Sequence, residues 1–140
     1  MTSTLDPLVF DAEPLIAHAD DEPGSEAVDS FLDAVATGET TGYINVVTLS
    51  EIRYVLARKY DRDVADEYLE WVQQVGVEPV EAQSLWERAS EFILQYNPAL
   101  GDAFALATAR AVEGTLVSGG NNDYDDVTDV SIERFRDGAA

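Results

Sequence analysis

The chain alternates short, wholly apolar runs with longer stretches in which apolar residues recur every three or four positions. The first pattern suits a strand buried on both faces, the second a helix packed along one side. Leu8-Val9-Phe10 is the first run and ends at Asp11. Pro14 then falls where the first turn of a helix tolerates proline, and Leu15, Ile16 and Ala19 continue that helix. Asp20 to Gly24 is a polar turn. Val28, Phe31, Leu32 and Val35 predict a second helix stopped by Gly38. Tyr43 to Val47, rich in β-branched and aromatic residues, predicts a second strand. Thr48-Leu49-Ser50-Glu51 opens a long helix through Ile52, Val55, Leu56 and Tyr60. Asp61 or Asp63 caps the next helix, which carries Tyr68, Leu69, Trp71 and Val72 and ends at Gly76. Pro79 marks Val77 to Val80 as an edge strand. Leu85 to Tyr96 is amphipathic and is broken by Asn97-Pro98; Asp102 to Val112 is alanine-rich and reads as a buried helix. Thr115 to Val117 is a strand, Gly119 to Asp126 a polar loop, and Val130 to Ile132 a last short strand. Alternating strands and helices predict a single α/β domain over residues 1–140 with a mainly parallel sheet.

Composition narrows the chemistry. The 140 residues include 8 basic and 28 acidic side chains, a net charge of −20. That length suits one domain with a core of its own. Without cysteine there is no disulfide, no cysteine zinc site and no thiol nucleophile, and a lone histidine, His18, excludes a multi-histidine metal site. No apolar run approaches a membrane span and no secretory leader opens the chain, so the expected compartment is the cytoplasm. A hydrophobic content of 46% rules out disorder despite the charge. A charge of −20 ordinarily argues against a nucleic-acid partner. Yet Lys59 is the single lysine, and an acidic, lysine-poor surface suits the very salty cytoplasm of a halophile. At ~1 M salt the Debye length is about 3 Å, and local clusters rather than net charge select partners.

Ligands in open α/β sheets sit beyond the C-terminal strand ends. Asp11, Glu51 and Asp123 are placed there by the pattern above. Asp102 opens the helix before the late strand, and spacing alone does not say at which edge that helix starts. Each acid also has a plain structural use. Thr48 and Glu51 form a capping box, Asp102 complements a helix dipole, and Asp123 sits in a solvated acidic loop. Asp11 is harder to explain away, because a carboxylate after a buried strand is costly unless paired or metal-bound. Converging carboxylates raise one another's pKa values unless a cation joins them. An all-oxygen set suits Mg²⁺ or Mn²⁺, and such a site suits phosphoester hydrolysis.

Four segments in this order resemble the PIN-domain family, and most closely its VapC-type toxins of toxin–antitoxin pairs. They are Val9-Phe10-Asp11, Val47-Thr48-Leu49-Ser50-Glu51-Ile52, Leu100-Gly101-Asp102-Ala103-Phe104-Ala105-Leu106-Ala107, and Gly119-Gly120-Asn121-Asn122-Asp123-Tyr124. The resemblance implies a three-layer α/β/α fold and a Mg²⁺-dependent endoribonuclease, with RNA as substrate, a cognate antitoxin as partner, and a homodimer. It assigns Asp11, Glu51 and Asp102 to acidic site positions, Thr48 and Ser118 to supporting ones, and Asp102 to the same sheet end as Asp11. The fourth acid departs from the pattern. Many members carry Gly-Asp after this strand, where this chain has Gly119-Gly120-Asn121; others carry Asp before an aromatic, which Asp123-Tyr124 matches. Asp123 is taken as the fourth acid. Were Asn121 the equivalent, the site would be slow, or the protein an inactive module that binds RNA or a protein.

Other residues are weighed against ordinary packing. His18 is expected on a helix surface or in packing rather than in the chemistry. Tyr68, Trp71, Trp86 and Phe92 are expected in the core or against a partner. Arg53, Arg58, Lys59 and Arg62 form the one basic cluster, a candidate contact for RNA phosphate or a set of helix pairs with acids. An aspartyl-phosphate chemistry at Asp11-Ala12-Glu13 would need a lysine near the phosphate, and only Lys59 is on offer.

Overall fold

In a computed structural model, residues 6–119, 124 and 126–136 are described. They form β1 (Leu8–Phe10), α1 (Ala12–Ala19), α2 (Ser25–Ala36), β2 (Gly42–Asn45), α3 (Val46–Lys59) and α4 (Arg62–Val75). The chain continues through β3 (Val77–Val80), α5 (Trp86–Tyr96), α6 (Leu100–Ala111), β4 (Thr115–Ser118) and β5 (Ser131–Arg134). The strands make one sheet in the order β3-β2-β1-β4-β5, and every pairing is parallel. The expected sheet was mainly parallel; among the described residues it is entirely so. Pro79 lies on the edge strand β3, as a residue without an N–H donor requires.

Alternation along each strand divides the core. Leu8, Phe10, Ile44 and Val117 join the buried faces of α1, α2, α3 and α4. Val9 and Leu116 point the other way, to α5 and α6. The sheet is therefore the middle of three layers, α/β/α. Because β1 is buried on both faces, it reads as an unbroken apolar run.

Side chains cap the starts of α1, α3 and α4, and one of these departs from expectation. Asp61 caps α4 by accepting from the Val64 N–H at 2.8 Å, and Gly76 ends it at φ +123°. The exception is the capping box at Thr48 and Glu51. Strand β2 stops at Asn45, and the Asn45 side chain caps α3 by accepting from the Val47 N–H at 2.9 Å. The helix thus begins two residues before Thr48, and Thr48 lies inside it, 1% exposed. Asn45 also donates to Thr108 Oγ1 on α6 at 3.0 Å. Asn also ranks above Thr as an N-cap residue. Among the described residues, no helix is long and apolar enough to cross a membrane.

Candidate active site

Strand order decides where the crevice lies. From β1 the chain winds outward through β2 to β3, then returns across the sheet to β4 on the other side of β1. The switch point is the β1–β4 boundary, where the crossover helices part to opposite faces. Asp11 ends β1 there and Ser118 ends β4 beside it.

Asp11 is 3% exposed. Its Oδ1 accepts from the Ala12 N–H at 2.8 Å, so it also caps α1. Its Oδ2 accepts from Ser118 Oγ at 3.2 Å and from the Tyr124 hydroxyl at 2.7 Å. Asp102, in the first turn of α6, lies near enough to Asp11 and Tyr124 to perturb the ionisation of both. Glu51 reaches in from α3 and presses on the main chain of α6. A Cβ on Gly101 would stand 2.5 Å from Glu51 Oε1. The structure thereby brings together Asp11, Glu51, Asp102 and Ser118, which had been drawn from four separate segments. Asp123 and Asn121 lie outside the described residues.

Burial and neighbouring carboxylates together perturb the acids of the site. Burial pushes the Asp11 carboxyl up, and the Glu51 charge pushes it further, against the hydrogen bonds from Tyr124 and Ala12. Burial and then the Asp102 charge raise Glu51. Tyr124 is held far above its ordinary range by burial and by Asp11 and Asp102, so its hydroxyl remains a proton donor. The Thr48 hydroxyl is buried with no hydrogen-bond partner among the described residues. An all-oxygen donor set of mutually repelling carboxylates fits a hard divalent cation. Among the described residues no three such groups stand close enough to share an ion as they lie.

Two residues at the site escaped the sequence reading. Tyr124 was noted only as the aromatic after Asp123, and nothing in the local pattern points its hydroxyl at Asp11. Glu13 lies against the backbone after β4, where a Cβ on Gly119 would collide with its carboxylate. Arg136 holds Glu13 at 3.2 Å and Glu22 at 3.2 Å, strapping the last described residues across α1 and the turn after it.

The basic cluster is largely committed elsewhere. Arg53 pairs with Asp66 at 2.7 Å, Lys59 pairs with Asp20 at 2.7 Å, and Arg58 stacks over the Tyr54 ring at 5.0 Å. The pairing with acids holds for Arg53 and Lys59, and the engagement of Lys59 removes the lysine that aspartyl-phosphate chemistry would need. His18 packs as expected. It stands 3.0 Å from the Tyr68 hydroxyl and 3.1 Å from Asp29, and stacks on Trp71. Phe92 is core, whereas Trp71 and Trp86 remain 40% and 60% exposed.

An all-parallel three-layer domain with acids gathered at its switch point defines a class of proteins with an acidic site at the C-terminal sheet edge. The chain belongs to the PIN domain family, whose model matches residues 8–130. No curated protein matches it. Among solved structures it is similar to the VapBC2 complex of Rickettsia felis bound to a promoter DNA fragment. There the TM-score is 0.70 at 14% identity, covering 91% of this chain and 98% of that one. A toxin–antitoxin complex from Klebsiella pneumoniae matches with TM-score 0.70 at 20% identity, covering 93% and 98%. DNA-bound VapBC from Salmonella typhimurium matches with TM-score 0.66 at 17% identity, covering 97% and 100%.

Proposed function

We propose that this chain is a metal-dependent endoribonuclease and the toxin of a toxin–antitoxin pair. One observation carries the reading: Asp11, Glu51 and Asp102, from three separate segments, gather at the switch point with raised or mutually perturbed carboxyls. Such an arrangement is costly without a cation and useful with one. Membership of the PIN family and the likeness to toxin–antitoxin complexes support the nuclease and an antitoxin partner.

In this reading Asp11, Glu51 and Asp102 would hold Mg²⁺ or Mn²⁺ through carboxylate oxygens, with Asp123 as the fourth acid and Asn121 as its alternative. Glu51 completes the negative wall over α6. Ser118 and the Ala12 N–H fix the plane of the Asp11 carboxylate. Thr48, on α3 three residues before Glu51, would serve as a supporting residue. The bound ion supplies an activated water and neutralises charge developing on the phosphodiester. It also gives RNA phosphate a positive contact on a chain of net charge −20. The protein works in the cytoplasm, as a homodimer, at high salt.

The test is cleavage of RNA by the purified protein in concentrated KCl with Mg²⁺. EDTA and Asp11→Asn should each abolish it, and cleavage that survives both overturns the reading. A second reading, a non-catalytic module binding RNA or protein, draws on the lack of three metal-ready carboxylates among the described residues. Calorimetric binding of Mg²⁺ by the wild-type chain counts against it.

A further inference from the structure

Tyr124 is 2% exposed and packs among the apolar residues beneath α5 and α6. Phenylalanine would meet that packing need. The added hydroxyl must find a partner when buried, and its partner is the first acid of the site: it donates to Asp11 Oδ2 at 2.7 Å. Asp102 lies near enough to disfavour its ionisation as well. A hydroxyl carries one proton and can donate to one carboxylate at a time. It therefore stands between two acids, bonded to one and close to the other.

The lone pairs of Asp11 sharpen the point. A carboxylate offers about four acceptor positions. The Ala12 N–H takes one on Oδ1, and Ser118 and Tyr124 take both on Oδ2. Ser118 approaches from the end of β4, at the β1–β4 boundary. The Tyr124 bond is the shorter of the two on Oδ2, 2.7 Å against 3.2 Å for Ser118. Asp11 Oδ2 cannot serve the phenol and the ion together without losing one donor.

We propose that the Tyr124 hydroxyl is a built-in competitor of the metal ion, a positioning residue that holds the Asp11 carboxylate and must release Asp11 Oδ2 for an ion to bind through that oxygen. The inference rests on the metal-nuclease reading above. It makes Tyr124 a threshold device: the acidic pair is kept folded and protected by a proton donor, and the site loads only when the ion concentration outweighs that donor.

The test compares the wild-type chain, Tyr124→Phe and Asp11→Asn by calorimetric titration with Mn²⁺ in concentrated KCl, with thermal melting before and after the ion. Phenylalanine keeps the packing and removes only the oxygen. Tyr124→Phe should bind Mn²⁺ about tenfold more tightly, the worth of one hydrogen bond to a charged group. It should melt lower than wild type in EDTA and gain more melting temperature on adding Mn²⁺. If wild type binds Mn²⁺ and Tyr124→Phe binds it equally or more weakly, this inference falls and the nuclease reading stands. If wild type binds no ion while folded, the nuclease reading falls and takes the inference with it. Should Tyr124→Phe be unfolded in EDTA, Mn²⁺ must fold it; a chain that stays unfolded overturns the inference.

Discussion

Gly101 separates the demands of the site from those of the fold. It occupies the second position of α6, where alanine favours the helix by up to about 1 kcal/mol over glycine. A Cβ there would lie 2.5 Å from Glu51 Oε1, against 3.4 Å for ordinary contact. The Glu51 carboxylate must therefore retreat by roughly 1 Å, away from the helix that carries Asp102. Because it is the end of a flexible, half-buried side chain, the retreat is cheap for folding. It also relieves the repulsion that raises Glu51. Gly101→Ala should accordingly keep or raise the melting temperature by a few degrees. Catalysis is less tolerant: a displacement of about 1 Å can cost on the order of a hundredfold in rate. The assay pairs thermal melting with single-turnover RNA cleavage in Mg²⁺. A variant that melts lower yet cleaves at the wild-type rate would show that Gly101 serves packing and that Glu51 plays no part in the site.

The remaining expectations are briefer. Thr48→Val keeps the β-branched shape and removes a buried, unpartnered hydroxyl, so it should stabilise the fold by about 1 kcal/mol while lowering the cleavage rate, both read on one preparation. In EDTA, the raised carboxyls of Asp11 and Glu51 make the folded state bind protons more readily than the unfolded chain. Stability should therefore fall as pH rises through their folded values, while Mn²⁺ affinity rises over the same interval; melting and calorimetry across the acid range check both signs. Asp20 runs the other way: burial would raise it, but hydrogen bonds from Lys59 and Tyr60 win and hold it low. Asp20→Asn should lower the melting temperature at neutral pH, and the difference should close only in acid below the depressed value. With a net charge of −20, melting temperature should climb steadily from ~0.1 M to ~1 M KCl as the Debye length shrinks from about 10 Å to about 3 Å; a flat profile would remove the salt-adapted account of the surface.

Local pattern carried most of the elements. Leu8-Val9-Phe10, the spacing from Val28 to Val35, the stop at Gly76 and the proline of β3 all depend on neighbours within a turn or two. Asp11 was legible for the same reason, since an acid after a buried strand has few ordinary uses. The capping box at Thr48 misled because a local match says nothing of a competing cap. Asn45, three residues earlier, takes the cap and also bonds Thr108, 63 residues away. The basic cluster was legible as a cluster, but whether Arg53 met RNA or Asp66 depended on α4 packing against α3.

The amino-acid sequence alone determined the order of strands and helices, the absence of thiol and multi-histidine chemistry, and the acids worth suspecting. These follow from side-chain chemistry and from periods of two and about 3.6 residues, which act over short range. The tertiary structure decided which acids meet. The order β3-β2-β1-β4-β5 sets Ser118 beside Asp11, packing of α6 on the sheet brings Asp102 to the same edge, and the Tyr124 hydroxyl comes to rest on Asp11. Each contact joins residues some ninety or more positions apart, and closing such distances is the work of sheet pairing and core burial, which no short window of sequence contains.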